Sequence, residues 1–424
     1  MTDYKKTVLP NGVRVVTEGM PHLKSASIGI WVDIGSRDEA NSENGICHFI
    51  EHMLFKGTES RTALEIASAL ESLGGNLNAF TSREQTCFYA RVIDEHLPAA
   101  VDILTDMLMN STLAAHHVEK ERNVIIDEIN DVLDTPSDHV HDLFSRAIWT
   151  DHTLGNPIMG TTELISAMTR NELAEFMKTK YTSGRIVVAA AGHVDHDRLV
   201  EMLQEKLLLE TENPLAAIQT EYSGETPKRT VSSRESNQTH ICLGFPGYRY
   251  AHPNKFATLV LHSILGAGMS SRLFQAVREE LGFAYSVYTY QDYYRDCGTF
   301  CVCLSTDDKK VVQSTDVILT EIARIRDENV SQSELESAQQ QLKGNLVLGL
   351  EGSSSRMNRL ARHELGYNRY ESLEDTLSNI EKVTLDDLNE AAVSIFKFDR
   401  CAAAFLGPVK ESVLDEIAWK NLSS

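Results

Sequence analysis

Two kinds of apolar spacing alternate along the chain. Where positions advance by about 100° per residue, as in a helix, Ile46, Phe49, Ile50 and Met53 share one arc, and His48, Glu51 and His52 share the opposite one. The spacing predicts a helix with a core face and a polar face. Further on, a helix ends at Leu73-Gly74-Gly75, alternation predicts strands over 76–82 and 86–92, and a helical period returns over 96–109. The second half repeats that order, with a helix ending at Leu281-Gly282, strands over 283–291 and 298–304, and a helix over 309–325. Helices are also predicted over 118–133 and 163–178 in the first half and over 331–350 and 355–364 in the second. Apolar strands over 185–191 and 401–406 close the two halves, and Leu9-Pro10-Asn11-Gly12-Val13 predicts a hairpin near the start.

The repeat is a duplication at domain scale and predicts two related α+β domains, each an antiparallel-rich sheet covered by helices. Between Glu210 and Arg229 the periodicity fades and Pro214, Gly224 and Pro227 appear. That places a linker at 213–227 between a first domain, 1–212, and a second, 228–424. A length of 424 residues agrees, because it exceeds what one core ordinarily organises.

Charge and composition narrow the partners. A net charge of −21 disfavours nucleic acid and anionic membrane surfaces. The run Ile186-Val187-Val188-Ala189-Ala190-Ala191 is far short of the ~20 residues that cross a bilayer, so no membrane partner is expected. The polar start from Met1 to Val8 leads straight into the hairpin, and a cytoplasmic location is expected. Seven cysteines without a CxxC pair fit a reducing compartment, and Cys297, Cys301 and Cys303, in an alternating segment, are expected to be buried thiols.

The polar arc carries the candidate chemistry. Histidines at i and i+4 on one helical face, His48 and His52, are placed to share a cation, and the adjacent Glu51 can reach a water at an open coordination position. This is the inverted HxxEH arrangement; a solvated polar face that happens to hold two histidines is the plainer alternative. A hydrolytic zinc site ordinarily has three protein ligands. In the segment 118–129, Glu121 and Glu128 fall inside the apolar arc of Val118, Val124, Ile125 and Ile129. Inward carboxylates need a cation or strong donors. A metal would meet that need, and so would buried salt bridges with arginine.

With both elements in hand, the sequence resembles the M16 (pitrilysin-like) zinc peptidases. It is most similar to the short subfamily of the mitochondrial processing peptidase β subunit and its bacterial relatives. Glu128 follows His52 by 76 residues, and Glu121 precedes Glu128 by seven, matching that family's spacing. Gly35-Ser36-Arg37-Asp38-Glu39, Phe55-Lys56-Gly57-Thr58, Gly75-Asn76-Leu77-Asn78-Ala79-Phe80-Thr81, Gly155-Asn156-Pro157-Ile158-Met159-Gly160-Thr161 and Ser271-Arg272-Leu273-Phe274 extend the likeness over nearly the whole chain.

The resemblance implies one Zn²⁺ per chain on His48, His52 and Glu128, Glu51 as general base, and a supporting role for Glu121. It implies a metal-free second domain, in which the lone His262 is a core residue and Arg278 and Tyr285 lie near the substrate backbone. Substrate is expected to add as a strand along Asn76, Asn78 and Ala79. The expected activity is endoproteolysis of unfolded peptides or precursor segments in a closed chamber. That chamber is expected to form in a homodimer, or in a heterodimer with a metal-free homologue. A non-catalytic scaffold or peptide-binding subunit is the alternative function, and an Arg278–Tyr285 pair that only braces a surface is the alternative for those residues. Gly266-Ala267-Gly268 lacks the lysine of a phosphate loop and reads as a turn before a helix over 270–281.

Overall fold

The computed structural model describes residues 3–210 and 226–419, so most of the linker expected at 213–227 lies outside the described residues. The strands are β1 (Asp3–Val8), β2 (Arg14–Gly19), β3 (Ser25–Val32), β4 (Asn76–Thr81), β5 (Thr86–Ile93), β6 (Ile186–Gly192), β7 (Arg229–Ser233), β8 (Thr239–Gly247), β9 (Ala284–Tyr293), β10 (Gly298–Thr306) and β11 (Ala402–Gly407). The helices used below are α1 (Ile46–Leu54), α2 (Ala63–Glu71), α3 (Leu97–Asn110), α4 (Ala115–Asp134), α5 (Pro136–Ile148), α6 (Thr162–Ala167), α7 (Arg170–Lys180), α8 (His196–Lys206), α9 (Lys255–Gly266), α10 (Val311–Asp327), α11 (Gln332–Gly349) and α12 (Ser353–Tyr367).

Two α+β sheets result, as the duplication predicts. The first has the order β1-β2-β6-β3-β5-β4 and the second β7-β11-β8-β10-β9. Setting β2 against β7, β6 against β11, β3 against β8, β5 against β10 and β4 against β9 superimposes the two orders, with β1 the addition in the first. Each sheet is antiparallel apart from one parallel pair, β2 with β6 and β11 with β7. The predicted hairpin joins β1 to β2 in the register Val8↔Arg14, with Gly12 at φ 99° in the turn. Among the described residues no helix is long and apolar enough to cross a membrane.

The expected helix over 163–178 is two helices, α6 and α7. Thr169 breaks it: its hydroxyl accepts from the Glu172 N–H, and the Glu172 carboxylate accepts from the Thr169 N–H at 2.7 Å, a capping box that starts a new helix.

Both sheets are apolar on both faces, and this decides the architecture. On β6 every residue is buried. One face of the first sheet meets α1, α3 and α4 through Ile28, Ile30, Phe49, Ile50 and Ile125. The other carries Val16, Trp31, Val187 and Ala189, covered by Met357, Leu360 and Ala361 of α12. The second sheet mirrors this, with Cys242, Cys301, Cys303 and Ala404 on its outward face beneath Val140 and Phe144 of α5. The compact units are therefore not contiguous halves: the first takes in Gly349–Glu371 and the second takes in Asp131–Gly155. An open sheet with an apolar outer face must be covered, and each half supplies one helix to the other's sheet.

One expectation about cysteine changes. Cys297 and Cys301 are buried, but Cys303 is joined to Cys242 as a disulfide instead of standing as a thiol. The β8–β10 register sets Cys242 directly opposite Cys303 with Cα atoms 4.4 Å apart, the narrow spacing of a non-hydrogen-bonded antiparallel pair.

Candidate metal centre

The site is built on the start of α1. Gly45, at φ 98°, precedes the helix in a left-handed conformation, and a Cβ there would come within 2.7 Å of the Met159 carbonyl oxygen. Only glycine fits that turn. The first N–H groups of a helix lack partners within it. Here the buried Glu39 carboxylate accepts from the Gly45 and Cys47 N–H groups, each at 2.9 Å, and from Asn44 Nδ2 at 3.0 Å. Burial pushes the Glu39 carboxyl up to about 7, against the pull of those donors toward the ionised form. Ile46, Phe49, Ile50 and Met53 are buried, as the arc predicts, and this turns His48, Glu51 and His52 toward α4 and β4.

His48 Nε2 lies 3.8 Å and His52 Nε2 3.4 Å from Glu128 Oε2, and one ligand atom from each of the three residues falls within 4.8 Å of the other two. Glu121 stands behind them: its Oε2 accepts from His52 Nδ1 at 3.3 Å and from Lys56 Nζ at 3.0 Å. Glu51 is held from the β4 side by Thr81, whose hydroxyl donates to its Oε2 at 2.5 Å. The reading of Glu121 and Glu128 as arginine salt bridges is not what forms; their partners here are the two histidines and Lys56.

The two glutamates differ in exposure. The Glu121 side chain is 3% exposed and that of Glu128 41%. Seven residues advance a helix by about 10.5 Å, which carries Glu128 from the core out to the open side of the site.

Electrostatics separates the groups further. Burial, with the nearby His52, pushes His48 down to about 3, which favours the neutral imidazole that binds metals. Burial raises the Glu51 carboxyl, opposed by the Thr81 hydrogen bond and His52 and assisted by Glu128. Two imidazole nitrogens and one carboxylate oxygen converging from two helices form the donor set of a three-ligand zinc site, so the residues present fit that ion. Glu51 belongs to none of these pairs and stays poised beside them.

The remaining predicted residues fall elsewhere. Strand β4 is the edge of its sheet, with Asn76 and Asn78 on the exposed face and Ala79 on the half-buried face it shares with Thr81. Arg278 and Tyr285 belong to the second unit, where the guanidinium sits 4.6 Å from the Tyr285 ring centre and Tyr285 is 79% exposed. The helix expected over 270–281 has π geometry over Phe274–Glu280, which includes Arg278. His262 shares a 2.6 Å hydrogen bond with Thr289 Oγ1. Sequence reasoning did not single out Glu39, Lys56 or Thr81, although all three lie in segments that carry the family likeness.

A duplicated α+β fold with an HxxEH helix facing a carboxylate helix defines the class of a two-domain metallopeptidase. The comparisons agree. Residues 14–162 match the family described as Insulinase (Peptidase family M16), and residues 167–342 match the Peptidase M16 inactive domain. An uncharacterized zinc protease of Mycobacterium tuberculosis is 44% identical over 413 residues, covering 95% of this chain and 93% of that protein. The uncharacterized zinc protease YmxG of Bacillus subtilis is 38% identical over 404 residues, 95% of this chain and 98% of its own. A crystal structure of a protease from Helicobacter pylori shares the fold with a TM-score of 0.90 at 20% identity, covering 96% of this chain and all of that one. The chain belongs to the M16 peptidase family and is an M16-type metallopeptidase.

Proposed function

We propose that the chain is a zinc endopeptidase of unfolded peptides or precursor segments, with His48, His52 and Glu128 as metal ligands and Glu51 as general base. The observation that carries this reading is the convergence of His48 Nε2, His52 Nε2 and Glu128 Oε2, with Glu51 beside them and hydrogen-bonded to Thr81. Zinc at this donor set would supply Lewis acidity and lower the pKa of a water. Glu51 takes the proton of the attacking water and returns it to the leaving amine; burial raises its carboxyl above the ordinary carboxylate value, which makes it a stronger base. Glu121 fixes the His52 tautomer by accepting at Nδ1, which leaves Nε2 as the ligand atom. Lys56 neutralises the buried Glu121.

The edge position of β4 supports strand addition by substrate, which is selective for extended backbone more than for side chains. Arg278 and Tyr285 are assigned to gripping substrate carbonyls, supported by their seven-residue spacing and their stacking. A closed chamber, a dimer of this chain or one with a metal-free homologue, and a cytoplasmic location complete the proposal. Likeness to the processing-peptidase subfamily supports precursor segments as substrates.

Glu51→Gln is expected to retain metal, measured by elemental analysis, and to lose hydrolysis of a quenched peptide by about 10²–10⁴-fold. His48→Ala loses both. Full activity in Glu51→Gln would overturn the general-base assignment, and a wild-type chain that takes up no zinc would favour the scaffold alternative. Molecular mass in solution, measured alongside activity of the chain alone, tests the dimer.

A further inference from the structure

The outward face of the second sheet holds a cluster of donors that the peptidase reaction does not use. Beneath α5, Cys242 of β8 and Cys303 of β10 face each other across the ladder. His141 of α5 brings Nδ1 to 3.7 Å from Cys242 Sγ, and Cys301 Sγ lies 3.7 Å from Cys303 Sγ. One ligand atom each from His141, Cys242 and Cys303 lies within 4.8 Å of the other two. Two tyrosine hydroxyls fix the imidazole, Tyr290 at 3.3 Å from Nδ1 and Tyr288 at 3.2 Å from Nε2. The corresponding face of the first sheet packs Trp31 and Val187 on Leu360, and its polar pairs there are Ser27 with Ser353 and Ser354 and Glu18 with Arg356, with no sulfur–imidazole group among the described residues. Polar groups brought into a helix–sheet interface cost stability unless they are satisfied, so a disulfide, the neighbouring Cys301 thiol and a histidine gathered at this one invite a use.

We propose that His141, Cys242 and Cys303 form a second metal site, built from other residues than the His48–His52–Glu128 centre, which takes a soft ion of the zinc type when both cysteines are reduced and is closed by their disulfide. A tetrahedral ion bound at about 2.3 Å from sulfur and about 2.0 Å from nitrogen sets a sulfur–nitrogen edge of about 3.5 Å and a sulfur–sulfur edge of about 3.8 Å. The observed His141–Cys242 separation of 3.7 Å is close to the first. Cys301, whose Sγ is 3.7 Å from Cys303 Sγ, borders this group of three without belonging to it. Thiolate and imidazole select zinc-type ions over magnesium or calcium.

Opening the site takes two electrons. A dithiol reductant attacks one sulfur of the Cys242–Cys303 bond, and its second thiol resolves the mixed disulfide. The reductant leaves as its own disulfide, and Cys242 and Cys303 each gain one electron and one proton. Metal binding then releases those two protons to solvent. Tyr288, 40% exposed beside His141, marks the rim of this face.

Cobalt(II) is the probe, because thiolate-to-cobalt charge-transfer absorption is absent from a histidine–carboxylate site. The full chain is reduced with a phosphine, its thiols are counted, and cobalt is titrated without air. Wild type is expected to develop charge-transfer absorption that saturates within two equivalents, because the His48–His52–Glu128 centre also takes cobalt, and His48→Ala is expected to develop it within a single equivalent. Cys303→Ser and His141→Ala are expected to lose it, and so is wild type whose Cys242–Cys303 disulfide is left intact, a comparison that needs no substitution. Reduced wild type with all thiols counted but no such absorption overturns the proposal, and so does absorption that persists unchanged in Cys303→Ser. Peptide hydrolysis enters none of these readouts, so the outcome stands apart from the proposed function.

Discussion

Helix α1 in the first unit and α9 in the second occupy equivalent places in two related folds, and they are tied down in parallel ways. In the first, Glu51 of α1 is bound to Thr81 of the edge strand β4, and His52 is bound to Glu121 of α4. In the second, His262 of α9 is bound to Thr289 of the edge strand β9, and Ser263 donates to Gln341 of α11 at 2.7 Å. Each unit keeps one link from helix to edge-strand threonine and one from helix to covering helix. Only the chemistry differs: two histidines with carboxylates in the first, a single histidine with neutral amide and hydroxyl groups in the second. The fold supplies a polar seam between helix, edge and cover, and a metal centre is one way of filling it.

The largest effect should come from emptying that seam of charge in the first unit. Glu128→Gln removes the one anionic ligand and is expected to abolish both zinc retention and peptide hydrolysis, whereas Gln341→Ala should alter neither. Zinc bound at wild-type stoichiometry by Glu128→Gln would break the comparison at its centre.

Next comes the helix each half lends to the other's sheet. Leu360→Ala opens a cavity against Val187 and Trp31 and should destabilise the first unit by about 2–5 kcal/mol, although the residue lies in the second half of the sequence. Phe144→Ala should cost the second unit about 3–5 kcal/mol. Hydrogen exchange read unit by unit checks both, and loss of protection in the half of the chain where the mutation lies, instead of the unit it packs on, would contradict the exchange.

A smaller change is expected from Glu121→Gln, which leaves all three ligands in place. Zinc affinity measured against a competing chelator should fall about 10–100-fold, because the carboxylate that orients His52 becomes a neutral amide.

The smallest effect is a pH dependence confined to the second unit. Arg272, gripping Glu334 at 2.7 and 3.0 Å, and the Ser331 donors hold the Glu334 carboxyl down to about 2. A folded pKa below the unfolded value contributes stability that is present above the unfolded pKa and lost as pH falls through the folded one. The gap in unfolding midpoint between wild type and Glu334→Gln should therefore be constant above about pH 4.5 and close toward pH 2. A gap that widens on acidification reverses the assignment.

Much of this was legible beforehand, for reasons that are local. The arc of Ile46, Phe49, Ile50 and Met53 against His48, Glu51 and His52 follows from helical geometry alone, and the buried core face agrees. The strand pairs 76–82 with 86–92 and 283–291 with 298–304 appear as β4 with β5 and β9 with β10. Even the break at Thr169 has a sequence signal, Thr-x-x-Glu, set inside an otherwise continuous period. The Cys242–Cys303 pair had none, because a register between strands some sixty residues apart is fixed by side chains on both faces of the sheet.

By itself the sequence determined the two-fold repeat, the polar arc of α1 and the pairing of Glu121 with Glu128 on one helix, since each depends on spacing within a single element. Only the tertiary structure decided what those elements meet. An apolar stripe on 355–364 says that a face is buried but not by which sheet, and α12 lies on the sheet of the other half. Lys56 on Glu121, Thr81 on Glu51 and Glu39 on the start of α1 are contacts at distances of 2.5–3.0 Å between separate elements. Periodicity carries direction around one axis, and such contacts depend on how several axes are packed together.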